Sequence, residues 1–389
     1  MPAARLRRGP RPTAGMPRAP PPLSFVAPFS TVERLRPDEA GAPSNSIGMS
    51  QRKPDRQAVE RWNRILEPYL GADTRESLTQ LATSVIPFVL LWWLGFRSLE
   101  VGYWLSLLIA IPTAGFMMRM FMIQHDCGHG SFFRSRAARD WVGRAIGVVL
   151  LTPYDYWKRT HAYHHAHSGD LDFRGFGDVD TFTVREYLSW PLWRRLRYRV
   201  YRHPLILFGL APFYQFIIKH RFPWDIPRDW TQAWRSVWWT NAAVALVVAL
   251  MWMTVGIERF LLVQIPVTFI ASATGIWMFY VQHQYEDTYW HWHDDWDYYD
   301  ASLLGSSYLV LPRPLQWLTA NIGVHHVHHM SARIPNYKLQ QVHDENPEFH
   351  VVTKVSFKDT LKLINLALWD EERQQLIRFK DLKRARAAA

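Results

Sequence analysis

Four apolar stretches, arranged as two close pairs, constrain this chain more than any other feature. They run roughly over Leu81–Gly95, Val101–Ile123, Ser236–Val255 and Phe260–Val281. A helix needs about 17–25 mostly apolar residues to cross a bilayer. The last three stretches meet that length, with Arg119 near one end of the second; the first is shorter and is preceded by polar residues. Only FRSLE separates the first pair and only GIER the second, so each pair must fold as a tight antiparallel hairpin. A mean hydropathy of −0.17 shows that a large water-exposed part accompanies the spans. The 20 tryptophans fit this division, because the residue collects at bilayer interfaces. Buried hairpins in a soluble protein are the competing reading, and the flanking tryptophans and the charge distribution oppose it.

The charge distribution sets orientation. The two short loops hold one basic residue each, Arg97 and Arg259, whereas residues 124–235 hold 17 Lys/Arg against 10 acids. More basic residues follow at Arg373, Arg378, Lys380, Lys383, Arg384 and Arg386. The positive-inside rule then places both termini and the long connection in the cytoplasm. Two shorter apolar stretches in that connection, Trp141–Leu151 and Pro204–Ile218, are expected along the interface rather than across it. The net charge of +11 is thereby an orientation signal, and no nucleic-acid recognition motif accompanies it.

The ends differ from the middle. Residues 1–50 carry 10 of the 25 prolines, seven Arg, no Lys and three acids. Such a stretch buries too little apolar surface to offset its ordering entropy, so it reads as disordered. A gene start extended past a true opening near Met49 is the other reading. An Arg-rich, acid-poor start also resembles a transit peptide, although its prolines disfavour an amphipathic helix, and no apolar core of a secretory signal follows it. Residues 51–372 are expected to be the membrane domain and 373–389 a basic tail. No fixed-period repeat is present. A single cysteine, Cys127, excludes an intramolecular disulfide, a Cys-rich zinc module and a four-Cys iron–sulfur cluster.

Histidine carries the chemistry. Fifteen of 17 histidines fall between His125 and His329. His125 and His129 stand at i,i+4 on a helix continuing from the second stretch. His161, His164 and His165 stand at i,i+3,i+4 after Pro153. His325, His328 and His329 repeat that spacing, with Asn321 one turn earlier on the same stripe, and His283 ends the fourth stretch. The topology, fixed by Lys/Arg alone, brings all four elements to one face of the membrane. A lone HxxxH pair is commonly a surface or core feature; the joint placement is what makes these nine metal-ligand candidates. Imidazole suits Zn, Cu, Fe and Ni. A structural zinc site takes four ligands, so nine fit two metal ions, each with four or five nitrogen donors. His326 points off the stripe and is expected behind the ligands. His167, His203, His220, His291, His293, His343 and His350 have no such grouping. Asp126, Asp170, Asp172, Asp178, Asp180, Glu286 and Asp287 are candidates for orienting the rings through their second nitrogen, or else are solvated acids.

The motifs HDCGHGSFF (125–133), HAYHH (161–165), SGDLDFRGFGDVDTFTVREY (168–187), VQHQYEDTYW (281–290) and NIGVHHVHHMSARIPNY (321–337) resemble the membrane fatty acid desaturases, a histidine-box di-iron family. They look most like bacterial acyl-lipid desaturases of the Δ12/Δ5 type, and the resemblance covers roughly residues 75–345. It implies an all-α integral membrane protein: four transmembrane helices in two hairpins, with a cytoplasmic helical cap holding a di-iron site, in the bacterial inner membrane. It implies two iron ions (Fe2+/Fe3+) bound by His125, His129, His161, His164, His165, His283, His325, His328 and His329, which are also the catalytic set. O2 would be the co-substrate, and electrons would come from a separate ferredoxin-like or cytochrome b5-like donor. The expected reaction introduces a cis double bond into a fatty acyl lipid or acyl thioester. The additional histidine His326 departs from the family's third box. Phe132, Tyr156, Trp157, Trp277 and Tyr280 are candidate walls of an acyl tunnel, or else ordinary packing and anchoring residues. Hydroxylation, acetylenation or another lipid oxygenation on the same scaffold is the alternative. A metal transporter is the remaining one, disfavoured because transporters carry ionisable residues within broken spans.

Overall fold

The computed structural model describes residues 56–382 except 176 and 225. The expected disordered segment 1–50, together with Lys383, Arg384 and Arg386, lies outside the described residues.

The four apolar stretches form α2 (Thr74–Ser98), α3 (Tyr103–His129), α9 (Thr231–Val255) and α10 (Ile257–His283), each long and apolar enough to cross a membrane. The protein is an integral membrane protein built mostly of helix. The first stretch extends further than its apolar part. Asp73 caps it by accepting from the N–H groups of Arg75 and Glu76, and its polar residues Ser77, Gln80 and Ser84 lie on one buried stripe. These side chains face protein rather than lipid, so their polarity does not shorten the span. The α9–α10 turn is tighter than the sequence gap implies: Gly256, at φ 86°, is the whole loop. A left-handed residue with no Cβ allows this reversal.

Helix α3 is the most enclosed of the four spans and α9 the least. Helices α2 and α10 are the main neighbours of α3. The indole of Trp92 donates to Gln264 Oε1 at 2.9 Å, tying α2 to α10 within the apolar layer. Large side chains such as Trp93, Trp104, Trp239 and Trp252 point outward from the spans, as lipid-facing residues must.

The rest forms a cap on one side. Helix α1 (Arg56–Leu66) precedes the spans. Helices α4 (Arg136–Val149), α5 (Tyr154–His167), α6 (Val184–Ser189), α7 (Leu192–Tyr201) and α8 (Ile206–Lys219) fill the long connection. After α10 come α11 (Tyr298–Leu304), α12 (Arg313–Leu318), α13 (His325–Met330), α14 (Asn336–Glu345) and α15 (Phe357–Leu363). Two small sheets brace them. Strand β1 (Phe182–Thr183) runs parallel to β4 (Leu366–Asp370), which pairs antiparallel with β5 (Gln375–Arg378). Strand β2 (Tyr308–Val310) runs parallel to β3 (Lys354–Ser356). Strand β5 draws residues 375–378, part of the stretch that charge marks as a tail, into the cap.

A buried arginine knits this cap to the spans. Arg202 donates to the carbonyls of Asp180 and Leu366 at 3.1 and 2.6 Å and to Gln284 Oε1 at 2.9 Å. Gln284 directly follows His283, so the network fixes where α10 ends.

Candidate metal centre

Helix α3 runs unbroken from the apolar layer through the first histidine pair. It ends because Gly130, at φ 80°, turns its N–H back to the carbonyls of Asp126 and Cys127. His125 and His129 therefore stand on its last turns, with ring centroids 4.6 Å apart. Helix α5 starts immediately after Pro153, as the sequence predicts, and presents His161, His164 and His165. His283 is the last residue of α10, and His325, His328 and His329 lie on the short α13.

These four helices bring eight of the nine candidates into two groups, each with donor atoms within 4.8 Å of one another. The first contains His125, His129, His161, His165 and His328, and the second His164, His283 and His329. His325 stands at the edge of the second group, its Nε2 3.0 Å from His283 Nε2. The groups adjoin: the His165 and His329 rings are stacked with centroids 4.2 Å apart. His326 turns away, its Nε2 3.1 Å from His343 Nδ1.

The donor set fits metal ions. His129 Nε2 and both ring nitrogens of His164 and His329 are buried without a hydrogen-bond partner. Such groups normally find one. His328 Nε2 lies 3.0 Å from His165 Nε2, which lies 3.2 Å from His161 Nε2. Nitrogens converging this closely with few protein acceptors suit a shared cation. Burial, followed by the neighbouring rings, holds His161, His165, His325, His328 and His329 well below the usual imidazole range, and burial with His283 and His125 does so for His164. They are therefore neutral at ordinary pH, the form that coordinates metal.

Several rings are oriented from behind. Asp126 Oδ1 lies 3.0 Å from His125 Nδ1, while its Oδ2 accepts from the N–H and Nδ2 of Asn336 at 2.7 and 2.8 Å. With Nδ1 donating to the carboxylate, Nε2 of His125 is left as the ligand atom. His283 Nδ1 lies 3.0 Å from the Gly305 carbonyl, which selects the same tautomer. Asp178 Oδ2 stands 3.8 Å from His164 Nδ1, and burial pushes this carboxyl up to about 6. Of the other acids singled out, Asp170 binds His293 Nδ1 at 2.7 Å, Asp172 accepts from the His293 N–H, and Glu286 and Asp287 are exposed. Asp180 is buried and bonds Arg202 through its carbonyl.

Asn321 is not on the third box's helix. It and Ala320 adopt left-handed backbone, φ 57° and 52°, and α13 begins only at His325. The Asn321 side chain instead donates to the Asn336 carbonyl at 3.2 Å. Among the aromatic candidates, Trp157 stacks on His161 at 4.5 Å, whereas Tyr280 is buried in the Arg202 network. Sequence reasoning passed over Phe279, whose ring lies 5.0 Å from His164 and 5.1 Å from His283. Its i−4 spacing from His283 was the available signal.

Four spanning helices with a histidine cluster at one end define a membrane-embedded metalloprotein class. Comparison with known proteins specifies it. A family model described as Fatty acid desaturase matches residues 102–356. The chain is 41% identical over 311 residues to a fatty acid desaturase of Bacillus subtilis (strain 168), covering 80% of this chain and 88% of that protein. It is 28% identical over 288 residues to an sn-1 oleoyl-lipid 12-desaturase of Anabaena variabilis, covering 68% and 75%. An sn-1 acyl-lipid omega-3 desaturase (ferredoxin) of Synechocystis is 27% identical over 234 residues, covering 57% and 62%. The chain belongs to the fatty acid desaturase family.

Proposed function

We propose that this protein desaturates the acyl chain of a membrane lipid, using two iron ions held by the nine histidines His125, His129, His161, His164, His165, His283, His325, His328 and His329. The observation that carries this is the convergence of eight of those rings into two adjoining groups at the ends of α3 and α10. Iron held there would supply the O2-dependent oxidation that an unactivated C–H bond requires, because acid–base groups alone cannot break it.

The chain's own residues do the rest. Asp126 and the Gly305 carbonyl fix ring tautomers, so that Nε2 of His125 and of His283 points inward. Adjacent methylenes are chemically alike, so position along the chain selects the one that reacts. Trp157 and Phe279, against the rings of His161 and His164, are placed to set that position. Gly130 and Asp126 keep the first pair in register with α5, and the buried cap excludes bulk water from the donors.

The catalytic unit is taken as residues 51–372, with β5 (Gln375–Arg378) completing the cap. The Lys/Arg bias supports a cytoplasmic histidine side and cytoplasmic termini, and the likeness to bacterial desaturases supports a bacterial inner membrane. The Synechocystis relative is named as a ferredoxin desaturase, which supports a separate ferredoxin-like donor here. A cytochrome b5-like donor is the other option, and the basic face suits either acidic carrier.

The test is expression in a host lacking polyunsaturated lipids, with double bonds mapped by mass spectrometry. A new cis double bond is expected with the wild type and none with His164→Ala or His328→Ala. A hydroxylated product, or a double bond that survives those substitutions, overturns the assignment.

A further inference from the structure

A polar cavity of about 250 Å³ opens between α2, α3, the end of α12 and the start of α14. Gln80, Thr83, Arg119, Asn321, Asn336 and Tyr337 line it, with Trp317 on one wall. Polar lining is unexpected inside a pair of spanning helices, where lipid offers no hydrogen bonds.

Two side chains in it hold buried polar atoms without partners. Arg119 is 6% exposed; it donates from Nη1 to the Trp317 carbonyl, and its guanidinium sits 3.9 Å over the Trp317 ring. Its Nε is buried with no acceptor, and no carboxylate pairs with it among the described residues. Gln80 is 5% exposed, and both Nε2 and Oε1 are unpartnered. A buried guanidinium without an anion is costly, and this one is held deliberately. Gly115 lets α12 press onto α3, since a Cβ there would lie 2.6 Å from Leu318, and that contact brings the Trp317 carbonyl over Arg119 one turn on.

Position says what anion fits. Arg119 lies about 24 Å along α3 from Tyr103, at 1.5 Å per residue. In an apolar layer about 30 Å thick, this is close to the boundary on the histidine side. On α2, Leu78, Thr79, Ala82 and Thr83 are exposed, so the cavity opens sideways toward lipid. Glu76, the acid on its lining, is exposed at the outer end. There it would meet a donor-bearing outer part of a headgroup. The inner wall is part of the metal centre's support: Asn336 lines the cavity and also clamps Asp126, which holds His125.

We infer that this cavity binds the phosphate of a membrane phospholipid through Arg119 and Gln80, placing the lipid's acyl chain beside the histidine centre. The chain's destination rests on the proposed desaturation; the headgroup site does not. Guanidinium offers fork-shaped donors to phosphate oxygens, and the unpartnered Gln80 amide adds donors at the same level.

Native mass spectrometry of the purified iron-loaded protein tests it. Retained dioleoyl phosphatidylglycerol is counted against dioleoylglycerol, which has the same chains and no phosphate. The wild type is expected to retain one phosphatidylglycerol with at least about tenfold preference, and Arg119→Gln to remove that preference. Equal retention of the two lipids by the wild type, or an unchanged preference in Arg119→Gln, overturns the site. Millimolar inorganic phosphate that displaces the lipid and is itself retained assigns the oxyanion to a free anion and overturns the lipid reading. If Arg119→Gln does not fold, Gln80→Leu, which removes the amide donors, and Thr83→Leu, whose larger side chain narrows the lipid-facing mouth, carry the test. Each should weaken phosphatidylglycerol retention by about threefold or more without changing iron content, and a preference unchanged in both overturns the proposal. Binding is read without turnover, so its failure and a failure to desaturate are separate results.

Discussion

The five-ring group and the three-ring group share helices α5 and α13 yet differ in reserve. The five-ring group takes donors from α3, α5 and α13; the three-ring group takes them from α5, α10 and α13, with His325 at its edge. One HH pair on each shared helix is split between the groups. His165 and His328 serve the first group, His164 and His329 the second. Consecutive residues on a helix point about 100° apart, so one helix can feed two metal ions. A histidine box is therefore not a metal site; each site is assembled across boxes.

The largest expected effect follows from that difference in reserve. Removing His283 or His329 leaves the smaller group with two rings and His325. His283→Ala or His329→Ala should lower iron from two per chain to one and reduce desaturation by about a thousandfold or more. His161→Ala leaves four rings in the larger group, and both irons should stay. Metal analysis beside product quantification reads this, and equal iron loss in His161→Ala and His283→Ala would break the comparison.

Support differs too. His125 is backed by a carboxylate, His283 by a backbone carbonyl that no side-chain substitution removes. Asp126→Asn should reduce activity or iron affinity by about 10- to 100-fold. Asp178→Asn should cost less, because Asp178 stands 3.8 Å from His164 Nδ1 rather than at hydrogen-bond distance. A larger loss from Asp178→Asn would reverse the ranking.

The third expectation concerns stability around the smaller group. Arg202 holds the Asp180 carbonyl, Gln284 beside His283, and the Leu366 carbonyl, all buried. Arg202→Met removes three bonds from a charged donor, while Tyr198, Tyr280 and Thr181 still donate to the same acceptors, and should cost about 2 kcal/mol. The readout is a lowered thermal transition with early release of one iron. A transition within a degree of wild type would show that the Tyr198, Tyr280 and Thr181 hydroxyls hold these acceptors without the guanidinium.

The spans and the boxes were legible because both are local signals. Apolar length is written in consecutive residues, and i,i+4 pairing is written within one turn. Their common face was legible as well, since Lys/Arg bias fixes which span ends lie together. The partition of the rings was not, because it depends on distances among α3, α5, α10 and α13. Nor was the clamp on Asp126, whose partner Asn336 lies 210 residues away. The break at Ala320 and Asn321 was hidden for another reason: His325, His328 and His329 have the right spacing for a longer helix, and only the left-handed backbone ends it. Likewise Gln80 looked like a residue outside a short span, and it proves to be a buried residue inside a long one.

The smallest expected effect tests the all-nitrogen character of both groups. Cys127 lies between His125 and His129, two residues from each, so its side chain projects from the opposite face of α3. It is fully buried in an apolar cluster with Phe132, Met120 and Ile146, and neither ring group includes it. Tyr154 donates to the Cys127 carbonyl at 2.8 Å, a bond that substitution of the side chain leaves intact. Cys127→Ala therefore removes one buried sulfur from packing, costs about 1 kcal/mol, and should keep both irons with activity within about twofold of wild type. Thiolates bind such metals readily. Loss of either iron in Cys127→Ala would thus make sulfur a donor and require the α3 face to be turned toward the centre by half a turn, which the Asn336 bonds to the Asp126 carboxylate and the Gly130 N–H bond to the Cys127 carbonyl oppose.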